Sequence, residues 1–198
     1  MIAPEQKILS AFLGQKMQLG YVVADMDAAL RYWSETFKVG PFVVIEESVG
    51  DRRFMHRGRQ SDVRMSVAFS YFGDVQIEFI SQHNDAPSPY TEFLAGGRAG
   101  GLHHLAFWPP DYPAACAELE RHGFAEVCTI EMPDGSKNVS YYSGPAHLGT
   151  MIEIVPYTPT RGKYFGGVKA LAESWDGSRP IRRYKDRVAY MASPDCPA

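Results

Sequence analysis

Two stretches of the chain carry the same landmarks at one spacing, and this internal repeat limits the possible folds more than any other feature. Gln18 stands seven residues before Asp25 and His104 seven before Asp111; Ala28-Ala29 recurs as Ala114-Ala115. All three share one offset of 86 (104 − 18 = 111 − 25 = 114 − 28). Further on, Thr150-Met151-Ile152-Glu153-Ile154-Val155 matches Val75-Gln76-Ile77-Glu78-Phe79-Ile80, Ile-Glu against Ile-Glu. A repeat of this kind implies two similar units, each too small to bury its own apolar faces alone.

Each copy reads as strand, cap, helix and three further strands. In the first, Met17–Val23 is an expected strand and Asp25 an N-cap, and Met26, Ala29, Leu30, Trp33 and Phe37 keep helical spacing up to Val39-Gly40-Pro41. Strands are expected at 42–49, 63–71 and 75–80, with 50–62 as a polar arm. In the second, a glycine turn, Gly100-Gly101, feeds Leu102-His103-His104-Leu105-Ala106-Phe107-Trp108, and a helix capped by Asp111 runs to Gly123. Strands are then expected at 126–131, 138–142 and 150–155. The expected fold is α+β: two tandem βαβββ modules, 17–82 and 102–156, forming one curved mixed sheet with helices outside. Residues 83–101, rich in Pro, Gly, Ser and Asn with a short helical piece near 90–95, form the linker. Residues 1–16 make an N-terminal extension with an amphipathic helix around Ile8, Leu9, Phe12 and Leu13. The extension 157–198 is expected to patch the outer surface, the other readings being a cover over the site mouth or a contact with a second subunit.

Composition narrows the partners. A net charge of −3, from 20 basic and 23 acidic residues, lacks the basic excess of a nucleic-acid binder. No run of eighteen apolar residues and no leader pattern occurs, so neither membrane insertion nor export is expected. Cys116, Cys128 and Cys196 have no CxxC spacing, which points away from disulfides and thiolate zinc and fits a reducing cytoplasm. The cluster Arg52-Arg53…His56-Arg57-Gly58-Arg59 reads either as a solvated hairpin or as a grip on an anionic substrate tail.

The repeat singles out four positions, Gln18, Glu78, His104 and Glu153, at equivalent places on the first and last strands of the two modules. Alternation puts Leu19, Tyr21, Ile77, Phe79, Leu105, Ile152 and Ile154 on the opposite faces, and by the same rule directs His103 away from His104. Two buried carboxylates need a compensating charge; beside an amide and an imidazole they make a cage for one divalent cation. A mixed O/N set without thiolate suits Zn, Ni, Co, Mn or Fe. The competing reading has Gln18 capping a strand and the glutamates paired with Arg64 or another cation.

Paired modules with ligands on first and last strands resemble the vicinal oxygen chelate superfamily over roughly 17–156. That superfamily includes glyoxalase I, methylmalonyl-CoA epimerase, extradiol dioxygenases, fosfomycin-resistance enzymes and bleomycin-binding proteins. Val39-Gly40-Pro41-Phe42, Gly101-Leu102-His103-His104-Leu105-Ala106-Phe107 and Ile152-Glu153-Ile154 look most like the epimerase branch, whereas the order Gln, Glu, His, Glu is similar to eukaryotic glyoxalase I. The glutathione-gripping positions of glyoxalase I carry Val22 and Gln82 here, which argues against glutathione. Where the epimerases have a second catalytic carboxylate stands Gln60, with Asp62 nearby, and where the dioxygenases have their first histidine stands Gln18.

The resemblance implies a metal-dependent isomerase, epimerase or lyase that removes a proton next to a carbonyl on a small acyl or thioester-type substrate. Glu153 is the expected base, Glu78 a metal ligand that also returns the proton, and Gln18 and His104 anchors of the ion; a homodimer is expected from the same resemblance. Two alternatives remain. A non-catalytic protein of the same fold would sequester an aromatic or drug-like ligand among Tyr21, Phe69, Tyr71, Phe107, Trp108, Tyr141 and Tyr142. An iron dioxygenase with Gln18 as an unusual ligand is the third reading.

Overall fold

The computed structural model describes residues 12–196. Most of the helix expected within residues 1–16 lies outside them; Leu13 is buried and strand β1 has already begun at Gln15. One mixed sheet organises the molecule. Its strands are β1 (Gln15–Val23), β2 (Phe42–Ile45), β3 (Arg53–His56), β4 (Arg59–Gln60), β5 (Met65–Phe72), β6 (Val75–Gln82), β7 (Gly100–Trp108), β8 (Ala125–Glu131), β9 (Lys137–Ser143), β10 (Met151–Ile154) and β11 (Ile181–Tyr184). They lie in the order β11-β2-β5-β6-β1-β7-β10-β9-β8-β3-β4, so the two copies of the repeat meet at the antiparallel β1–β7 pair. On either side of this seam, β6 runs parallel to β1 and β10 parallel to β7.

The helices that follow β1 and β7 start alike. In α1 (Met26–Glu35) the Asp25 carboxylate accepts from the Ala28 amide at 2.9 Å; in α3 (Tyr112–Arg121) Asp111 accepts from Ala114 at 3.0 Å. These caps satisfy amide groups that have no partner inside the helix. Met26 and Leu30 then pack on Leu19, Tyr21, Ile77 and Phe79, while Ala115 and Leu119 pack on Leu105, Phe107, Ile152 and Ile154. Leu30, with no exposed surface, contributes about 1.5–3 kcal/mol by burial. Both helices therefore cover the outer face, and the alternate side chains of the same strands are left to face inward.

Three parts of the chain depart from expectation. The arm 50–62 is not a solvated excursion: β3 pairs with β8 of the other half, carrying Phe54 and His56 into buried positions. The linker does hold the short helix expected near 90–95, α2 (Pro89–Leu94), whose Ser88 cap and fully buried Tyr90 fix it against the inner face, but the linker ends earlier than expected. Gly100 already belongs to β7, and its φ of 151° sets it so close to β1 that a Cβ would stand 2.7 Å from the Val22 carbonyl oxygen.

The tail also departs from the outer-surface reading. Helix α4 (Pro159–Glu173) lays Tyr164, Phe165 and Val168 on the inner face beside Phe69, and β11 adds in parallel to β2 at the sheet edge. Helix α5 (Arg187–Met191) seats Tyr190 against Tyr164. The physical reason is that the inner face carries a large apolar set, including Val67, Phe69 and Tyr141, which the sheet alone leaves uncovered. No described helix is long and apolar enough to cross a membrane.

Candidate metal centre

The β1–β7 seam fixes the site through its register. Gly20 faces both Glu78 on β6 and His104 on β7, so one row across the sheet reads Glu78, Gly20, His104, Met151. The neighbouring row reads Gln76, Gln18, Ala106, Glu153. Directly opposed residues project from the same face, so all of these side chains share the inner side. Gly20 and Ala106 leave the centre of each row open. The His104 ring fills the space over Gly20: a Cβ there would lie 1.9 Å from its Cε1 and 2.0 Å from its Nε2.

This packing brings together three of the four residues selected from the repeat through their ligand atoms. His104 Nε2 lies 2.8 Å from Glu153 Oε2 and 3.2 Å from Glu78 Oε2, and one donor atom from each falls within 4.8 Å of the others. The exposures of His104, Glu153 and Glu78 are 0%, 5% and 6%, so water does not neutralise the group. The fourth, Gln18, is equally buried and donates its amide N–H to Gln76 Oε1 at 2.7 Å, a bond that does not engage its own carbonyl oxygen. Gln76 in turn donates to the Tyr71 hydroxyl at 3.0 Å. Arg64, the alternative partner for the glutamates, is exposed, and its backbone amide bonds Asn84 instead.

The close approaches are not regular hydrogen bonds. His104 Nε2, Glu78 Oε2 and Glu153 Oε2 are each buried without a well-aligned partner, because both oxygens lie off the direction in which the ring N–H points. Buried polar atoms left in this state are costly, and three of them converging on one point fit the donor set of a bound cation. Electrostatics agree. Burial disfavours a charged His104, but the Glu153 and Glu78 carboxylates outweigh it and raise its pKa to about 9. Burial also pushes the Glu78 carboxyl up, with the nearby Glu153 charge adding and His104 opposing. In the metal-free chain the two glutamates therefore favour the imidazolium form of His104.

His103 is where strict alternation fails. Gly20 pairs with His104 but Tyr21 pairs with Leu102, so His103 is the extra residue of a β-bulge. Instead of pointing away, it lies beside its neighbour, with Nδ1 3.1 Å from His104 Nδ1 and its ring against Tyr90, Phe93 and Tyr141. Burial, with the His104 charge behind it, lowers its pKa to about 3. A neutral His103 can accept from His104 Nδ1–H, which directs Nε2 of His104 toward the carboxylates.

Gln18, Glu78 and Glu153 line a cavity of ≈580 Å³ between the sheet and the C-terminal extension. Of the aromatic residues expected there, Phe69 and Tyr141 do line it, while Tyr21 packs under α1 and Phe107 and Tyr142 under α3. Sequence reasoning missed the tail's contribution of Tyr164, Phe165, Arg161 and Arg187. Of the basic cluster, Arg52 alone turns into this cavity; Arg53 pairs with Glu131 and Arg57 with Glu92. Gln60 is exposed on β4 and away from it.

Comparison with known proteins fits this geometry. The sequence pattern of the glyoxalase/bleomycin resistance protein/dioxygenase superfamily matches residues 17–142. The chain belongs to that superfamily. Among solved structures, methylmalonyl-CoA epimerase from Mycobacterium tuberculosis superposes with a TM-score of 0.53 at 20% identity, covering 82% of this chain and 96% of its own. A methylmalonyl-CoA epimerase in complex with methylmalonyl-CoA and NH4+ gives 0.52 at 18% identity, covering 74% and 96%. A hypothetical protein from Bacillus halodurans C-125 gives 0.51 at 16%, covering 73% and 94%. No curated protein matches the chain in sequence. At these identities the three solved structures share the fold with this chain, and its chemistry has to be argued from its own residues.

Proposed function

We propose that the chain is a divalent-metal enzyme that removes a proton next to a carbonyl group, as an isomerase, epimerase or lyase acting on a small acyl or thioester-type substrate. The observation that carries this reading is the trio of buried, unpartnered atoms, Glu78 Oε2, His104 Nε2 and Glu153 Oε2, whose two glutamates line a substrate-sized cavity. Glu78, His104, Glu153 and the carbonyl oxygen of Gln18 would hold a Zn, Ni, Co, Mn or Fe ion, water or substrate completing its coordination. A cation bound there supplies polarisation of the substrate carbonyl, which makes the adjacent C–H acidic and stabilises the enolate charge.

The remaining work falls to the protein. Glu153, on β10 at one side of the seam, is the base that takes the proton. Glu78, on β6 at the other side of the seam, is the carboxylate placed to return a proton to the opposite substrate face. His103 keeps the His104 ring in place through the Nδ1–Nδ1 contact. Phe69, Tyr141, Tyr164 and Phe165 line the cavity and limit water at the reacting carbon. Methylmalonyl-CoA itself is disfavoured, since Gln60 supplies no carboxylate to the cavity.

Two measurements test the proposal. Chelator-treated protein reloaded with each metal in turn should bind one ion per chain, and Glu153→Ala or His104→Ala should abolish that binding. In D2O, the loaded enzyme should exchange the α-hydrogen of an acyl thioester panel, with exchange lost in Glu153→Gln. Wild-type protein that binds no divalent ion removes the proposal, and tight binding of an aromatic ligand without metal or exchange replaces it with sequestration.

A further inference from the structure

The wall of the same cavity contains three arginines that the proton-transfer chemistry does not use. Arg52 comes from the turn before β3, Arg161 from the first turn of α4 and Arg187 from the start of α5, and all three line the space that Glu78 and Glu153 floor. Arg52 and Arg187 meet on one acceptor: both donate to the Ser48 carbonyl oxygen, Arg187 Nη1 at 2.6 Å. Arg187 Nη2 also reaches Ser48 Oγ at 3.2 Å, and Arg52 Nε reaches the Val49 carbonyl at 3.0 Å. Arg161 donates to the Pro156 carbonyl, and its Nη2 to the Asn138 carbonyl at 3.2 Å and Asn138 Oδ1 at 2.5 Å.

Every one of these acceptors is neutral. Among the described residues none of the three guanidiniums forms an ion pair, whereas Arg53, Arg57, Arg121, Arg179, Arg182 and Arg183 each reach a carboxylate. A guanidinium offers five N–H donors, and Arg52 Nη1, Arg161 Nε and Arg187 Nε make no hydrogen bond to the described residues. Burial and mutual repulsion work against these charges. Burial, then the charges of Arg187 and Arg161, lower the Arg52 pKa to about 9, and burial followed by Arg187 lowers that of Arg161 to about 10. Three half-buried cations facing one cavity are stabilised by an anion that enters it.

We infer that Arg52, Arg161 and Arg187 form an oxyanion subsite, so that the substrate is a small molecule bearing a carboxylate or phosphate group as well as the reactive carbonyl. The second part rests on the function proposed above; the anion-binding part does not. With ≈580 Å³ available, one compact molecule can reach from the arginines to Glu78 and Glu153. The arginine forks orient it by its charged end, leaving the carbonyl end to the carboxylates.

Inorganic phosphate and succinate serve as probes, titrated into the full-length protein by calorimetry and thermal melting at ionic strength matched with chloride. Stabilisation by either probe is expected in both chelator-treated and metal-loaded protein. Arg52→Gln, Arg161→Gln and Arg187→Gln should each weaken binding at least about tenfold, the loss of one charge-assisted contact. Arg187→Lys, which keeps the charge but loses the fork, should fall between. Glu153→Gln should bind the probes as well as wild type or better, so failure of the proton-transfer reading leaves this result standing. The relative affinity for the two probes decides between carboxylate and phosphate. Chloride acting as well as phosphate and succinate overturns the inference. So do arginine variants that melt lower without added anion yet respond to the probes like wild type, since the three residues would then only clamp the tail.

Discussion

Adding a single methyl group at Gly20 tests the centre sharply. An alanine Cβ would stand 1.9 Å from His104 Cε1, 2.0 Å from Nε2 and 2.5 Å from Nδ1, against a normal carbon–carbon contact of about 3.5–4.0 Å. The ring must therefore retreat by roughly 1.5–2 Å. It has little room, being fully buried, with His103 Nδ1 at 3.1 Å, the Tyr141 ring centroid at 5.1 Å and Glu153 Oε2 at 2.8 Å. Overpacking of this kind costs about 1–3 kcal/mol, which for a chain of this size lowers Tm by about 2–4 °C per kcal/mol. Moving a ligand atom out of line should cost more metal affinity than the ~10–100-fold that follows loss of a supporting residue. Melting curves and competition with a chromogenic chelator measure both effects. Gly166→Ala is the control: a Cβ in that helix meets nothing within 4 Å, so stability should hold or rise by about 0.5–1 kcal/mol. Gly20→Ala protein with wild-type Tm and metal affinity would refute both the steric account of the glycine and the role of His104.

Further expectations follow from the same contacts. His103→Phe keeps a ring against Tyr90, Phe93 and Tyr141 but removes the Nδ1 partner of His104; metal affinity should fall about 10–100-fold with folding retained, and unchanged affinity would show that His103 only packs. In metal-free protein, burial disfavours the His104 charge, yet Glu153 and Glu78 raise its pKa from 6.5 to about 9. A raised folded pKa gives stability that is complete below the unfolded value and lost as pH rises through the folded one, so Tm should decline between pH 6.5 and about 9. Glu78, also raised, acts with the same sign above its ordinary 4.5. Because metal displaces the His104 proton, the Tm gain on loading should widen with pH across that window; a gain that narrows counts against the site. Deleting residues 157–198 strips β11 from β2 and uncovers Phe42, Val43, Val44 and Ile45, all fully buried, so the shortened chain should self-associate in light scattering. A monodisperse, folded product would show that the tail is dispensable to the sheet.

The boundary between sequence and tertiary structure runs through the two halves of the repeat. Offset landmarks, Asp25 and Asp111 caps, and the alternation of Leu19, Tyr21, Ile77 and Phe79 against Gln18 and Glu78 are local signals, so α+β architecture and the outward faces were legible in the chain itself. The equivalence of Gln18 with His104 and of Glu78 with Glu153 was legible too, because a duplicated unit repeats its geometry. Register across strands was not. The bulge that turns His103 inward depends on how β7 meets β1, and the space for the His104 ring depends on Gly20 lying opposite it. Likewise Arg52, Arg161 and Arg187 stand more than a hundred residues apart at the extremes and share one cavity only because the uncovered inner face draws α4 and α5 onto it. Periodicity reports which side of an element is apolar; only the tertiary packing decides what arrives to cover that side and which charges it carries into the cavity.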